Sequence, residues 1–209
     1  MKIILFTSSG EKKGEIEISE KIFGSKINEN LIHKFVNLQR ANARNPIAHT
    51  LKRGEISATT AKLFKQKGTG RARRGAKSTN LLRGGGVTHG PRNNRNFSKK
   101  MPKKERRAAL RSILSSRAAA ENIFAIENFN FEKPKTKNFT AILEKIPAAK
   151  KYLFVLPEKN FTFEKSVANV QNCSTVLVNF LNPLAILRAE KIFFVGNSAQ
   201  KTAEIFAPK

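Results

Sequence analysis

One internal stretch of this chain cannot fold in the ordinary way. Between Lys65 and Arg107 only seven of 43 residues are hydrophobic: Ala72, Ala76, Leu81, Leu82, Val87, Phe97 and Met101. Seven of the chain's 12 glycines lie there too. Burial of apolar surface is what offsets the entropy of ordering a chain, so this segment cannot order itself around a core. A loop of such length inside a domain is either disordered or functional. We read it as a functional arm that orders on a partner.

The charge identifies the kind of partner. From Arg44 to Arg107 there are 19 Lys and Arg against two acids, Glu55 and Glu105, a net +17. The remaining 145 residues carry +8, for a total of +25 over 209 residues. Such asymmetry points to a polyanion. No apolar run approaches the roughly 20 residues that span a bilayer, and the opening ten residues lack the pattern of a signal or transit peptide. A single cysteine, Cys173, excludes a disulfide scaffold or a cysteine metal cluster. The expectation is a soluble protein of a reducing compartment.

The rest of the chain alternates. Strands are expected at 2–7, 15–18, 123–126, 151–156, 175–180 and 191–195. Helices are expected at 28–43, 103–120, 135–145, 161–170, near 183–187 and at 198–206. Asn28 or Asn30 would cap the first helix, and Pro102 would initiate the second. Alternating strands and helices imply βαβ units with a mostly parallel sheet, and near-continuous apolar strands such as Tyr152–Leu156 suit a sheet covered on both faces. The expected fold class is therefore α/β: a Rossmann-like three-layer body carrying a long, extended basic internal loop. We take 1–209 as a single domain with the loop at 45–101.

No catalytic constellation is visible. The turn Ser8–Gly14 lacks a G-x-G-x-x-G or Walker pattern, and the Gly84-Gly85-Gly86 and Gly68-Thr69-Gly70 runs have no strand before them. His33, His49 and His89 show no ligand spacing, Cys173 reads as a buried or idle thiol, and Glu144, Glu158, Glu164, Glu190 and Glu204 read as solvated helix faces. An enzyme, a metal site, a cofactor or a small-molecule substrate is not expected.

The arm suits RNA. Lys and Arg release counterions from phosphates, and glycines would let backbone N–H groups approach them. Arginine adds bidentate forks and planes that stack on unpaired bases. Asn80, Asn93, Asn94 and Asn96 supply further donors and acceptors. A membrane partner is disfavoured, because the arm has no amphipathic apolar face. Lys104, Arg107 and Arg111 fall together on one face of the 103–120 helix, beside the stripe Leu110, Ile113 and Leu114. Arg106 and Arg117 project onto that stripe. A free RNA- or DNA-binding regulator using the same arm is the competing reading.

Lys65-Gln66-Lys67-Gly68-Thr69-Gly70-Arg71-Ala72-Arg73, followed by Leu82-Arg83-Gly84-Gly85-Gly86-Val87-Thr88-His89-Gly90-Pro91, resembles the signature of the bacterial-type large-subunit ribosomal protein L-four family. Lys99–Lys104, Ala108–Ser115, Lys133–Lys137 and Asn182-Pro183-Leu184 continue the resemblance along the chain. It implies a non-catalytic α/β domain on the large ribosomal subunit, in the cytoplasm. Its loop would enter 23S-type rRNA, support early assembly and reach the nascent-peptide exit tunnel beside the L-twenty-two family member. The resemblance places Lys65, Gln66, Lys67, Gly68, Thr69, Gly70 and Arg71 at the tunnel tip. Arg73, Arg74, Lys77, Arg83, Gly84, Gly85, Gly86, Thr88, Arg92 and Lys99 then lie on RNA-embedded legs. Arg95, Lys100, Lys103, Lys104, Arg107 and Arg111 complete the expected RNA-contacting set. Two departures stand out: Leu63-Phe64 replaces the family's common Pro-Trp, and His89 stands where Phe is frequent.

Overall fold

The computed structural model describes residues 1–129 and 134–207, so Lys133 of the resemblance lies outside the described residues. The chain divides into two compact units: one is Met1–Arg40 with the described part of Lys100–Lys209, and the other is Ala41–Lys99.

The first unit is the α/β body. Its strands are β1 (Lys2–Phe6), β2 (Lys12–Glu17), β3 (Ile123–Ile126), β4 (Tyr152–Leu156), β5 (Cys173–Leu177) and β6 (Lys191–Val195). They form one sheet in the order β2-β1-β3-β6-β4-β5, parallel throughout except for the β1–β2 pair. The helices are α1 (Glu20–Phe23), α2 (Glu29–Asn42), α3 (Lys103–Ala119), α4 (Thr136–Leu143), α5 (Phe161–Ala168), α6 (Pro183–Arg188) and α7 (Ser198–Phe206).

Side chains alternate across a strand, and here the alternation builds two cores. On one face Ile3, Ile123, Ala125, Leu153, Val155, Ile192 and Phe194 pack with residues of α1, α3, α6 and α7. On the other, Phe6, Phe124, Ile126, Phe154, Phe193 and Val195 meet α4 and α5. This second core is aromatic. Phe193 lies 5.2 Å from the ring of Phe124 and 5.4 Å from that of Phe154, while Phe139 and Phe163 meet edge to face at 5.6 Å. Both faces are covered, so the near-continuous apolar strands have the physical cause read from them.

Several details differ from the expectation. Residues 175–180 do not form one strand: β5 ends at Leu177, and Val178–Phe180 is a turn of 3-10 helix. Helix α1, only four residues long, carried no periodic signal, yet it buries Ile22 and Phe23 completely. Asn28 does cap α2, its Oδ1 accepting the Leu31 N–H at 3.1 Å.

Helix α3 starts where Pro102 places it, with Pro102 as the N-cap residue. Leu110, Ile113, Leu114 and Ala118 are buried at helical spacing. Two buried serines on the same helix tie it to α1 and to the segment that follows α1. Ser115 Oγ donates to the Ile22 carbonyl at 2.8 Å and accepts the Ser25 N–H at 2.9 Å, and Ser112 Oγ reaches the Lys26 carbonyl at 3.3 Å. Arg117, which helical projection placed on the apolar stripe, donates to the Leu187 carbonyl at 2.6 Å, and Arg106 is exposed.

Candidate nucleic-acid interface

The second unit contains 14 Lys and Arg and a single acid, Glu55. Beyond the end of α2 it has no helix or strand, only turns and one isolated bridge, Lys62 to Ala76. It nonetheless has a hydrogen-bonded framework of its own, which the count of apolar residues did not foresee.

Where the unit begins and ends, the Asn42 side chain substitutes for a strand partner. Its Oδ1 accepts the Lys99 N–H at 2.7 Å and its amide donates to the Lys99 carbonyl at 3.2 Å. Beside them the Phe97 ring receives two guanidinium groups, Arg44 at 4.4 Å and Arg95 at 5.0 Å. An aromatic face attracts cations, so one ring keeps two like charges close together.

Further along, the Thr50 N–H donates to the Pro91 carbonyl at 3.0 Å and the Val87 N–H to the Leu51 carbonyl at 2.9 Å. Arg92 closes this crossing. Its guanidinium donates to the Thr50 carbonyl at 3.0 Å and to both oxygens of Glu55 at 2.5 Å each. Glu55 also accepts the Lys52 N–H at 2.9 Å. These bonds, led by the one from Arg92, hold the Glu55 carboxyl well below the usual carboxylate range, at about 2.

The Gly84-Gly85-Gly86 run serves this framework. A Cβ on Gly85 would sit 1.8 Å from the Thr79 carbonyl oxygen, and one on Gly86 would sit 2.3 Å from the Arg53 nitrogen. Their N–H groups donate to the carbonyls of Leu82 and Ser78. These glycines permit close backbone crossings, and their donors are already engaged within the chain. The expectation that they free N–H groups for phosphates is therefore amended at these two positions.

Beyond the bridge, the expected tip Lys65–Arg71 is exposed throughout. The Gln66 side chain accepts from Lys62, while a Cβ on Gly68 or Gly70 would meet nothing. Arg73, Lys77, Arg83, Thr88, Arg95 and Lys99 are exposed, and Arg74 is partly so. Thr88 Oγ1 accepts from the Asn80 amide. Among the described residues, Arg92 is the one cation of this unit that pairs with a carboxylate.

The expected cations of the body differ among themselves. Lys100, Lys103 and Lys104 are exposed, and Arg107 is partly so. Arg111 donates to the Phe206 carbonyl at 3.0 Å, a cation on the last carbonyls of α7, which favour positive charge. That part of its role is structural.

The carboxyl ends of β3, β4 and β6, where an open α/β sheet would take a ligand, border a shallow cleft containing Asn128, Glu158 and Lys159. Glu158 is paired with Lys201 at 2.6 Å. Cys173 is half-buried, and burial pushes its thiol up to about 11, which favours the protonated form. Among the described residues no group of His, Cys, Asp and Glu could hold a metal ion, and no helix is long and apolar enough to cross a membrane.

A basic unit without a core, interrupting an α/β body, narrows the comparison with known proteins. The sequence profile of the ribosomal protein L4/L1 family matches residues 16–205. The chain belongs to that family. The large ribosomal subunit protein uL4 of Oceanobacillus iheyensis is 37% identical over 206 residues, covering 99% of both chains. Its counterparts in Alkaliphilus oremlandii and Halothermothrix orenii are 36% and 33% identical, again over 99% of each chain. Membership makes this protein a structural component of the translation machinery and not an enzyme.

What the sequence missed in this unit is Glu55, Asn42 and Phe97. The signal for Glu55 was present: it is the lone acid among the cations. Nothing local marked Asn42, whose partner is 57 residues away.

Proposed function

We propose that this chain is held in the large ribosomal subunit by binding 23S-type rRNA through residues 45–101 and through the exposed lysines that begin α3. Family membership already makes it a structural constituent of that subunit, in the cytoplasm. The observation that carries the RNA-binding reading is the composition of the second unit. Thirteen of its 14 cations have no carboxylate partner among the described residues, on a backbone that closes without an apolar core. Phosphate neutralisation is the natural use of such a surface.

Within this reading Lys65–Arg71, exposed and open around Gly68 and Gly70, forms the tip at the wall of the nascent-peptide tunnel, next to the L-twenty-two family member. Lys67, Arg71, Arg73, Arg74, Lys77 and Arg83 contact rRNA, and their early engagement supports subunit assembly.

Sedimentation tests the reading. After a high-salt wash, an integrated constituent stays with the large subunit. A free regulator held by phosphates alone leaves, because ~6–10 phosphate contacts lose ~10³–10⁵ in affinity between about 50 and 200 mM salt. Quantitative release of the chain under such a wash would overturn the proposal in favour of the free regulator.

A further inference from the structure

In a segment that attracts polyanions, an acid works against the attraction. Glu55 is the only acid among 14 cations between Ala41 and Lys99, so its compensating gain must be structural. Its geometry supplies that gain. Both carboxylate oxygens are taken by the Arg92 fork, one of them also accepts the Lys52 N–H, and Arg92 simultaneously holds the Thr50 carbonyl. The bonded residues lie 37 positions apart in the chain. The same crossing contains the Thr50–Pro91 and Val87–Leu51 bonds and the close approach of Gly86 to Arg53.

We infer that Glu55 is a positioning residue for rRNA recognition: through Arg92 it clasps the outgoing and returning legs of the arm, fixing the spacing of the cations beyond it. Arg92 is thus a part of the clasp and not a phosphate ligand, and the basic unit meets RNA with its inner crossing already formed. The inference rests on the rRNA-binding reading. It opposes the plain electrostatic expectation, because removing an acid from a polycation should strengthen RNA binding.

The experiment uses the full chain with two probes, transcribed large-subunit rRNA and a random-sequence RNA of equal length, each titrated at several salt concentrations. Glu55→Gln keeps the shape and removes the charge. Arg92→Lys keeps the charge and removes the fork. Each single variant is expected to weaken rRNA binding roughly tenfold, a typical coupling within one bonded network. Affinity for random RNA stays level or rises in Glu55→Gln. The double variant loses no more than either single, since both break the same clasp.

Equal or tighter rRNA binding by Glu55→Gln overturns the inference, because that is what a freed Arg92 acting on phosphate would give. Additive losses in the double variant overturn it as well. Should Glu55→Gln not yield folded protein, Arg92→Lys decides alone: undiminished rRNA affinity there is fatal. Failure of the underlying reading looks different, since the unaltered chain would then show no preference for rRNA over random RNA.

Discussion

The body and the basic unit reach defined conformations by opposite means. The body encloses apolar side chains on both faces of its sheet, with Phe154, Phe193 and Phe194 fully buried. The basic unit buries almost nothing apolar beyond Ala76, and leaves Ile47 at 88% and Leu81 at 80% exposure. Its order comes from hydrogen bonds across crossing backbones, one bidentate ion pair and one ring between two guanidinium groups. Hydrophobic burial is strong and non-directional; the bonds of the basic unit are individually weak but directional. The first suits a scaffold. The second suits a surface whose cations must stand at set intervals while remaining free for phosphates.

The largest test of that contrast is a matched pair of truncations. Phe193→Ala removes a fully buried ring from the aromatic core and should destabilise the protein by ~3–5 kcal/mol. Leu81→Ala, in the basic unit, should stay within about 0.5 kcal/mol. Denaturant unfolding followed by far-UV circular dichroism measures both. Comparable losses would mean that the basic unit contributes an apolar core of its own.

Next in size is the charge contrast. Lys67→Ala should lower the magnitude of the salt slope of rRNA binding by ~0.7–0.9 for the one phosphate contact removed, and leave the unfolding midpoint unchanged. Lys201→Ala should leave the slope unchanged, since Lys201 is already paired with Glu158 in the body. Filter binding across a salt series separates the two. A steeper slope in Lys67→Ala, or an equal change in both variants, would erase the division of labour.

How much of this was legible follows from where each signal lay. Strand β6 and helix α7 were readable to the residue, because Lys191–Val195 is a short apolar run and Ser198–Phe206 follows a glycine turn. The end of β5 was not: Val178 looks like a strand residue, yet it is buried in the 3-10 turn Val178–Phe180. The basic unit was legible in composition and opaque in construction. Its apolar poverty and charge are sums over sequence, but Glu55–Arg92 and Asn42–Lys99 are pairings between distant residues. The triple glycine illustrates the gap best. A phosphate cradle and a tight backbone crossing both demand glycine, and the sequence alone cannot separate them.

A third test uses pH. The Glu55 carboxyl is held at about 2 by the Arg92 fork and then by the Lys52 N–H, against an ordinary value of 4.5. Its folded-state value is depressed, so the clasp contributes fully above about 4.5 and is lost as pH falls from there through 2. Neutral-range pH should therefore leave the clasp untouched. In the body, Glu127 and Glu158 are lowered in the same direction by Lys13 and Lys201. Carboxyl carbon NMR of Glu55 should give a midpoint near 2 in the unaltered chain and return it toward the ordinary range in Arg92→Lys. An ordinary midpoint in both would show that the fork is open in solution.

The smallest effect compares one strained residue from each unit. Among the described residues, His89 in the basic unit and Glu121 in the body are the only non-glycine residues with positive φ, both at +54°. Glu121 ends α3, where the Glu121 N–H bonds to the Ala118 carbonyl and the Asn122 N–H to the Arg117 carbonyl. That pattern of helix ending favours glycine at the left-handed position. A left-handed L-residue costs ~1–2 kcal/mol, and glycine's extra unfolded-state entropy returns ~0.5–1 kcal/mol of that, so Glu121→Gly should gain ~0.5–1 kcal/mol. In a chain of this size that is a rise of about 1–4 °C in Tm. His89→Gly relieves the same backbone strain, but in a unit without an apolar core to unfold cooperatively. Its Tm should not move, and equal rises in the two variants would show that body and arm melt as one.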